Sequence, residues 1–461
     1  MPLIDDHLLS ILKQFDRPGP RYTSYPTAPI FSAEYTPQRF EDDLIENNRN
    51  SSAPVSLYLH IPFCDTLCYF CGCNTIITRN REKISEYLIV LKKEIDSTTS
   101  FISKKRNVVQ MAWGGGTPSY LSPEEIRDLA NYIRERFTFA SDAEISVEID
   151  PRELTFDHLK AFVDGGANRF SIGVQDFNDE VQAAVNRIQP ESLSHQVFQW
   201  LRELGIKSIN IDLIYGLPLQ TVESFKVTLD KVIELSPERI AVFNFAYVPW
   251  MKQHQKLLHQ DQLPTAENKL YLLQLTINTL INAGYVYVGM DHFAKPTDEL
   301  AREQKNKNLN RNFQGYSTKA GADLFGFGMS AISHFGAVYA QNAKDLPSYY
   351  EAINNGRFST NLGYKMTQDD ELRKFVIMRL MCDLELDKRT IERRFGIVFD
   401  EYFADALVKI KEFLPLNLLA LEADRIVILE AGRFVLRNIA MCFDAYLPKM
   451  TKEKPIFSRT V

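Results

Sequence analysis

The chain is poor in the features that would commit it to a membrane, a nucleic acid or an oxidising compartment. No apolar run in it approaches the roughly 18 uninterrupted residues of a membrane helix. Its start, Met1-Pro-Leu-Ile-Asp-Asp-His7, carries acids where a signal peptide needs lysines followed by an apolar core, so a cytoplasmic protein is expected. A net charge of -6 over 461 residues leaves no global field to recruit nucleic acid or anionic membrane. Six cysteines in a chain this long are too few for a disulfide scaffold, and reduced thiols are the natural assumption. No solenoid-type repeat and no low-complexity block occurs. The remaining composition, 45% hydrophobic and 24% charged, is that of a globular protein. The length allows roughly two or three domains, or one large barrel with additions.

The scarce cysteines are not scattered. Four of the six crowd into Cys64-Asp-Thr-Leu-Cys68-Tyr-Phe-Cys71-Gly-Cys73, just after an apolar run. Three thiolates at C-x3-C-x2-C spacing can hold three corners of an iron–sulfur cube. A [4Fe–4S] cluster so held keeps one iron open to bind a ligand and do chemistry. Cys73 is only two residues beyond Cys71, awkwardly close for it to reach the fourth iron of the same cube. Structural zinc is the competing reading of these residues, but zinc wants a second pair, and Cys382 and Cys442 stand alone.

From residue 55 short β-rich runs alternate with amphipathic helical stretches. Strands are expected at Val55–Ile61, Val108–Trp113, Glu144–Ile149, Arg169–Val174, Ser208–Ile214, Ile240–Phe245 and Tyr285–Met290. Helices are expected near 82–98, 123–137, 155–164, 177–186, 191–204, 221–235 and 264–283, with Ser122, Thr155 and Thr265 as N-caps. Repeated β-α units predict a parallel sheet closing into a barrel or partial barrel. Polar groups at strand ends (Gly114-Gly-Gly-Thr117, Glu148, Asp150, Gln175, Asp176, Asp212 and Asn244) would then converge on one mouth beside the cysteine loop.

Outside the rhythm, residues 1–50 read as an N-terminal arm, extended through Arg17–Thr27. Residues 51–364 read as the barrel with a loop region, in which Arg302–Lys319 is basic. Residues 365–448 read as a small, mostly helical α+β domain of winged-helix type, with a hairpin pairing 425–429 with 432–436. Residues 449–461 read as a polar tail.

The cysteine loop, with Phe70 before its third cysteine, and the Gly114-Gly-Gly-Thr-Pro118 run together resemble the radical S-adenosylmethionine (SAM) enzymes. The motifs Pro20-Arg-Tyr-Thr-Ser-Tyr-Pro-Thr27, Tyr58-Leu-His-Ile-Pro-Phe-Cys64, Glu148-Ile-Asp-Pro151, Ser171-Ile-Gly-Val-Gln-Asp176, Asp212-Leu-Ile-Tyr-Gly-Leu-Pro218, Asn312-Phe-Gln-Gly-Tyr316 and Met441-Cys-Phe-Asp444 narrow the resemblance. Together they resemble the oxygen-independent coproporphyrinogen III oxidase family.

The resemblance implies an α/β fold, a radical SAM partial (β/α)6 TIM-like barrel with arm and C-terminal domain. It implies Cys64, Cys68 and Cys71 as cluster ligands and two SAM molecules. Tyr58, Phe70, Gly115, Glu148 and Ile332 would face the cluster-bound SAM; Gly116, Thr117, Gln175, Arg187, Asp212 and Ala246 would hold the second. Arg21 and Tyr22 would handle substrate or radical. The implied reaction turns two propionates of coproporphyrinogen III into vinyl groups through a 5′-deoxyadenosyl radical, in haem biosynthesis. A donor such as flavodoxin or ferredoxin would supply electrons to a monomer that needs neither nucleic acid nor membrane. Arg21, Lys295 and Arg311 are candidates for the substrate carboxylates, while His60 and His292 read as local hydrogen-bonders. Tyr247 stands where relatives often place His. The alternatives are a haem-binding carrier and a radical SAM methyltransferase acting on haem.

Overall fold

The computed structural model describes residues 3–450 and 457–460. Its centre is a parallel run of strands: β1 (Val55–Ile61), β2 (Val108–Gly115), β3 (Phe139–Ile149), β4 (Arg169–Gln175), β5 (Ser208–Tyr215) and β6 (Arg239–Asn244). Each pairs in parallel with the next in chain order. A helix follows nearly every strand, among them Arg81–Thr99, Pro123–Arg136, Glu191–Glu203 and Val222–Leu235. Crossovers that step always to the adjacent strand keep the helices on one face and curl the sheet, giving the expected partial barrel. Ser122, Thr155 and Thr265 cap their helices through side-chain oxygens.

Alternation along the strands separates two environments. Trp113 packs edge-on against Phe162 of the helix Phe156–Asp164. Its neighbour Gly114 faces the other way, toward Tyr58 and Glu148. The outer face is thus the apolar seam to the helices, and the inner face carries the chemistry.

Past β6 the sheet grows at both edges. β7 (Val286–Gly289) and β8 (His292–Ala294) add an antiparallel hairpin beside β6. β9 (Asp323–Phe327) returns to the opposite edge, parallel to β1, and β10 (Ile332–Phe335), β11 (Val338–Asn342) and β12 (Thr360–Lys365) extend it antiparallel. The described residues thus form a sheet of twelve strands. Gly326 permits the close passage of β10, since a Cβ there would stand 2.5 Å from the Ile332 carbonyl oxygen.

Arg17–Thr27 is free of helix, as expected, but helices Asp6–Phe15 and Pro37–Asn50 flank it. Both have N-caps, Asp5 and Thr36, and Phe15 stacks on Phe413 at 4.9 Å. Of the expected tail, 451–456 and 461 lie outside the described residues. Thr460 donates to the Arg17 carbonyl at 2.8 Å and Arg459 pairs with Asp16 at 2.5 Å, so Arg459 and Thr460 are docked on the arm.

The expected C-terminal hairpin is corrected. Arg425–Ile428 pairs with Leu419–Leu421 and Glu385–Asp387, whereas Glu430–Val435 coils into a 3-10 helix. Phe434 and the adjacent Val435 are both buried, which an alternating strand does not allow. Gly432 also sits so close to the Leu418 carbonyl that no Cβ fits.

Candidate active site

The loop after β1 carries the cysteines and is bound to the glycine run after β2. Gly116 N donates to Ile61 O at 2.8 Å and Thr117 N to Phe63 O at 2.9 Å. Thr117 Oγ1 lies 3.2 Å from Cys64 Sγ. Elsewhere Tyr69 N donates to Val185 O, Asn186 to Leu67 O at 2.8 Å, and His254 contacts the Cys71 carbonyl at 2.8 Å. Gln255 donates to the carbonyls of Phe70 and Ala246, at 3.4 and 3.2 Å. Backbone groups of this irregular loop are thus satisfied from several sides, which holds its sulfurs in place.

The sulfurs lie in an environment made for cations. Cys64, Cys68 and Cys71 are all free thiols. Burial pushes the Cys64 thiol up to about 12, and the two neighbouring sulfurs add to that. The Cys64 thiolate is therefore costly here unless a metal cation neutralises it, whereas the hydrogen bond with Cys73 draws the Cys71 thiol down to about 6. Cys68 Sγ also has Arg152 Nη2 at 3.5 Å and Arg187 Nη1 at 3.6 Å. Both guanidiniums share Asp150, at 2.7 and 2.9 Å. Burial raises the Asp150 carboxyl, but Arg187 and Arg152 more than offset it and hold it below the ordinary range.

Across the mouth stand two acids that make no ion pair among the described residues, though Arg187 acts on Asp212 from a distance. Glu148, at the end of β3, accepts from the Gly115 N–H; burial and the nearby Asp212 push it up to about 7. Asp212 accepts from Ser171 at 2.6 Å and Asn210 at 2.7 Å, and burial raises it too. Glu148 is surrounded by protein yet keeps part of its own surface open. A Cβ on Gly114 would stand 2.9 Å from Glu148 Oε2, so glycine is what leaves the carboxylate its place. Gln175 closes β4 with φ +70, a left-handed conformation that costs a non-glycine residue energy. Ile332 opens β10 on the apolar side of the mouth, packed near Phe31 and Tyr339. Phe70 and Tyr247 pack together around Phe245 and Val181.

A radical SAM superfamily model matches residues 58–232, and a model of the HemN C-terminal domain matches residues 366–435. The oxygen-independent coproporphyrinogen III oxidase of Synechocystis sp. is 45% identical over 98% of this chain and 97% of its own. That of Escherichia coli K12 is 45% identical over 98% of each chain. The chain belongs to the oxygen-independent coproporphyrinogen III oxidases. The solved structure of coproporphyrinogen III oxidase (HemN) from Escherichia coli, a radical SAM enzyme, matches with TM-score 0.92 and 44% identity over 97% of this chain and 100% of that one.

Radical SAM membership brings a [4Fe–4S] cluster and SAM as cofactors, and the chemistry of the residues fits them. Three thiols lie on one short loop, with Cys64 within electrostatic reach of the other two, two arginines stand at Cys68, and a glycine edge faces acids that form no ion pair among the described residues. The sulfurs are not drawn together into a metal-holding group among the described residues of this structure. The oxidase relatives do not favour the haem-carrier and methyltransferase readings. Cys73 lies beside Cys71 and within electrostatic reach of Glu148.

The arm reaches the same mouth. Arg21 pairs with Asp291 at 2.6 Å and lies 5.6 Å over Phe243, while Arg311 Nε donates to the Arg21 carbonyl. Tyr22 does not present its phenol to the mouth. It is 1% exposed and donates to Asp444 at 2.9 Å. Lys295 is at the other end of the barrel, bonded to the Ser236 carbonyl and Glu238 beside the start of β6. In the basic stretch, Lys307 and Lys319 pair with Glu385 and Asp142 at the surface, and Arg311 alone of these three turns inward. His60 bridges Tyr58 and the Asn74 carbonyl, and burial pulls it down to about 4, a neutral hydrogen-bonder as read. His292 behaves likewise against the Met290 carbonyl.

The residues that sequence reading passed over are Arg152, His254, Gln255 and Lys252, whose Nζ donates to the Cys73 carbonyl at 2.8 Å. Arg152 follows the Glu148–Pro151 motif and was legible there. The other three lie in an aperiodic excursion, Lys252–Leu257, that gives no pattern to read.

Proposed function

We propose that the chain oxidatively decarboxylates two propionate side chains of coproporphyrinogen III to vinyl groups, giving protoporphyrinogen IX without oxygen. Each propionate loses carbon dioxide, a proton and two electrons. The observation that carries the reading is the union of the cysteine loop with the glycine run, Cys64 Sγ 3.2 Å from Thr117 Oγ1, at a mouth that the arm also reaches.

When bound, the cluster and SAM supply the radical that starts the reaction. Cys64, Cys68 and Cys71 would hold the cluster, and Arg187 and Arg152 would set the charge around Cys68. Tyr58, Phe70, Gly115, Glu148 and Ile332 would seat one SAM; Glu148 would accept from its ammonium or ribose hydroxyls. Gly116, Thr117, Gln175, Arg187, Asp212 and Ala246 would seat a second. Arg21 is placed to meet a substrate carboxylate, and Tyr22 positions the arm through Asp444.

An external one-electron donor of flavodoxin or ferredoxin type fits this scheme. A hollow of about 390 Å³ beside Cys64, Asp65 and Arg152 brings solvent near the loop. A monomer in the cytoplasm fits the reduced cysteines, and among the described residues no helix is long and apolar enough to cross a membrane.

The test is anaerobic incubation with SAM, a reductant and coproporphyrinogen III. Protoporphyrinogen IX with 5′-deoxyadenosine is expected. An intact cluster that yields neither, in a protein that retains haem, would sink the reading.

A further inference from the structure

We propose that Lys374 and His334 form a seat for one propionate carboxylate of the tetrapyrrole substrate. The proposal rests on the substrate reading above. Lys374, on the helix Gln368–Asp383, places Nζ 2.6 Å from His334 Nε2 and 5.0 Å from the centroid of the Tyr339 ring. His334 stacks on that same ring at 4.4 Å.

The charges around the pair leave it positive. Glu371 acts on Lys374 from the same helix but is exposed and makes no bond to it. Asp370 is occupied by Tyr364, Tyr446 and Thr367. Arg373 faces Asp369 instead. Among the described residues Lys374 therefore has no ion-pair partner. A cation held in protein without a counter-ion is costly, and burial draws the Lys374 amine down to about 7 and His334 well below its usual range. With His334 neutral, the ammonium donates to Nε2 and keeps two N–H donors for an acceptor.

The place suits a macrocycle. His334 lies opposite Leu324 of β9 and Tyr339 of β11, and two residues from Ile332, so all four share one face. β9 continues that face to β1, with Leu324 opposite Ser56 and Gly326 opposite Tyr58. The pair thus stands on the inner face that holds Tyr58. Phe31 of the arm stacks on Tyr339 at 5.4 Å, and Phe313 meets it edge-on at 6.0 Å. An aromatic cluster, with Tyr339 stacked between Phe31 and His334, that ends in an amine without a counter-ion matches an apolar ring with carboxylates at its rim, and a carboxylate bound there would favour the charged form of the amine. Arg21, the other proposed carboxylate contact, differs in that its Nη1 is already paired with Asp291.

The test uses the full chain, purified anaerobically and loaded with SAM. Coproporphyrin III, the stable tetracarboxylate, is titrated by fluorescence, and kcat and KM for coproporphyrinogen III are measured separately. Lys374→Met should weaken coproporphyrin III binding and raise KM about tenfold or more, the loss of one charge-assisted hydrogen bond, with kcat little changed. Lys374→Arg should recover most of the affinity, which a merely structural role would not predict. His334→Asn reads the same quantities if Lys374→Met fails to fold. Unchanged binding and KM in a folded variant would overturn the seat while leaving the enzymatic reading intact. Lys374-dependent binding in a wild-type protein that forms no vinyl product would overturn the enzymatic reading and leave the seat.

Discussion

Arg187 donates from Nη1 to Asp150 Oδ2 at 2.9 Å. The same nitrogen stands 3.6 Å from Cys68 Sγ, so this ion pair sets the charge at one proposed cluster ligand. Arg187→Met removes a positive charge there and should move the cluster's midpoint potential negative. Asp150→Asn frees that charge and should move it positive. Shifts on the order of tens of millivolts are expected at this separation. A redox titration followed by electron paramagnetic resonance reads both signs, and shifts of one sign in both variants would refute the assignment.

The four clustered cysteines should divide three to one. Cys64→Ser, Cys68→Ser and Cys71→Ser should each lose iron and sulfide after anaerobic reconstitution. Cys73→Ser should retain them and its brown colour. Loss of iron in Cys73→Ser, equal to that of the others, would assign the ligands differently.

Glu148 should leave a mark on the pH dependence of the cofactor-free protein. Its ordinary value is 4.5, and burial with Asp212 raises it to about 7 in the fold. Between those values the native state binds a proton the unfolded chain has lost, so stability falls as pH rises through that window. Glu148→Gln removes the effect. The variant should melt above the parent at pH 8, and the two should converge toward pH 5. A constant offset at all pH values would show that ionisation is not the cause.

Tyr22 and Arg21 are neighbours with different expected phenotypes. Tyr22→Phe breaks a buried bond to Asp444 and should cost about 1–3 kcal/mol in denaturant titration, with iron content unchanged. Arg21→Ala should leave stability and iron nearly intact but lower turnover of coproporphyrinogen III. Arg21 is half-exposed at the mouth, where an ion pair adds little to folding. An Arg21→Ala protein with full turnover would remove it from the site.

Much of the barrel was legible because local signals and tertiary packing agree in it. The strands from Val55–Ile61 to Ser208–Tyr215 alternate or run apolar at the right length, and Ser122 and Thr155 mark their helices. Agreement failed where burial comes from distant chain. Glu430–Val435 looks strand-like until Leu418 is packed on Gly432. β9 was missed because its short glycine-broken run gains its meaning from pairing with β1, far away in sequence. Lys295 and Arg311 are both basic residues near motifs. The fold sends one to the base of the barrel and turns the other toward the arm.

The chain by itself determined the chemistry available: a C-x3-C-x2-C loop, a glycine run and strand-end acids are covalent facts, and spacing places each within a few residues of a strand end. Tertiary structure decided which charges remain unmatched. Asp291 takes Arg21, Asp444 takes the Tyr22 phenol, and Asp150 takes Arg187 and Arg152. Among the described residues neither Glu148 nor Lys374 has an ion-pair partner. Asp150 with Arg152 is a local pairing, but the others join residues tens to hundreds of positions apart, where distance and burial in the fold decide and no local pattern along the chain encodes the partner.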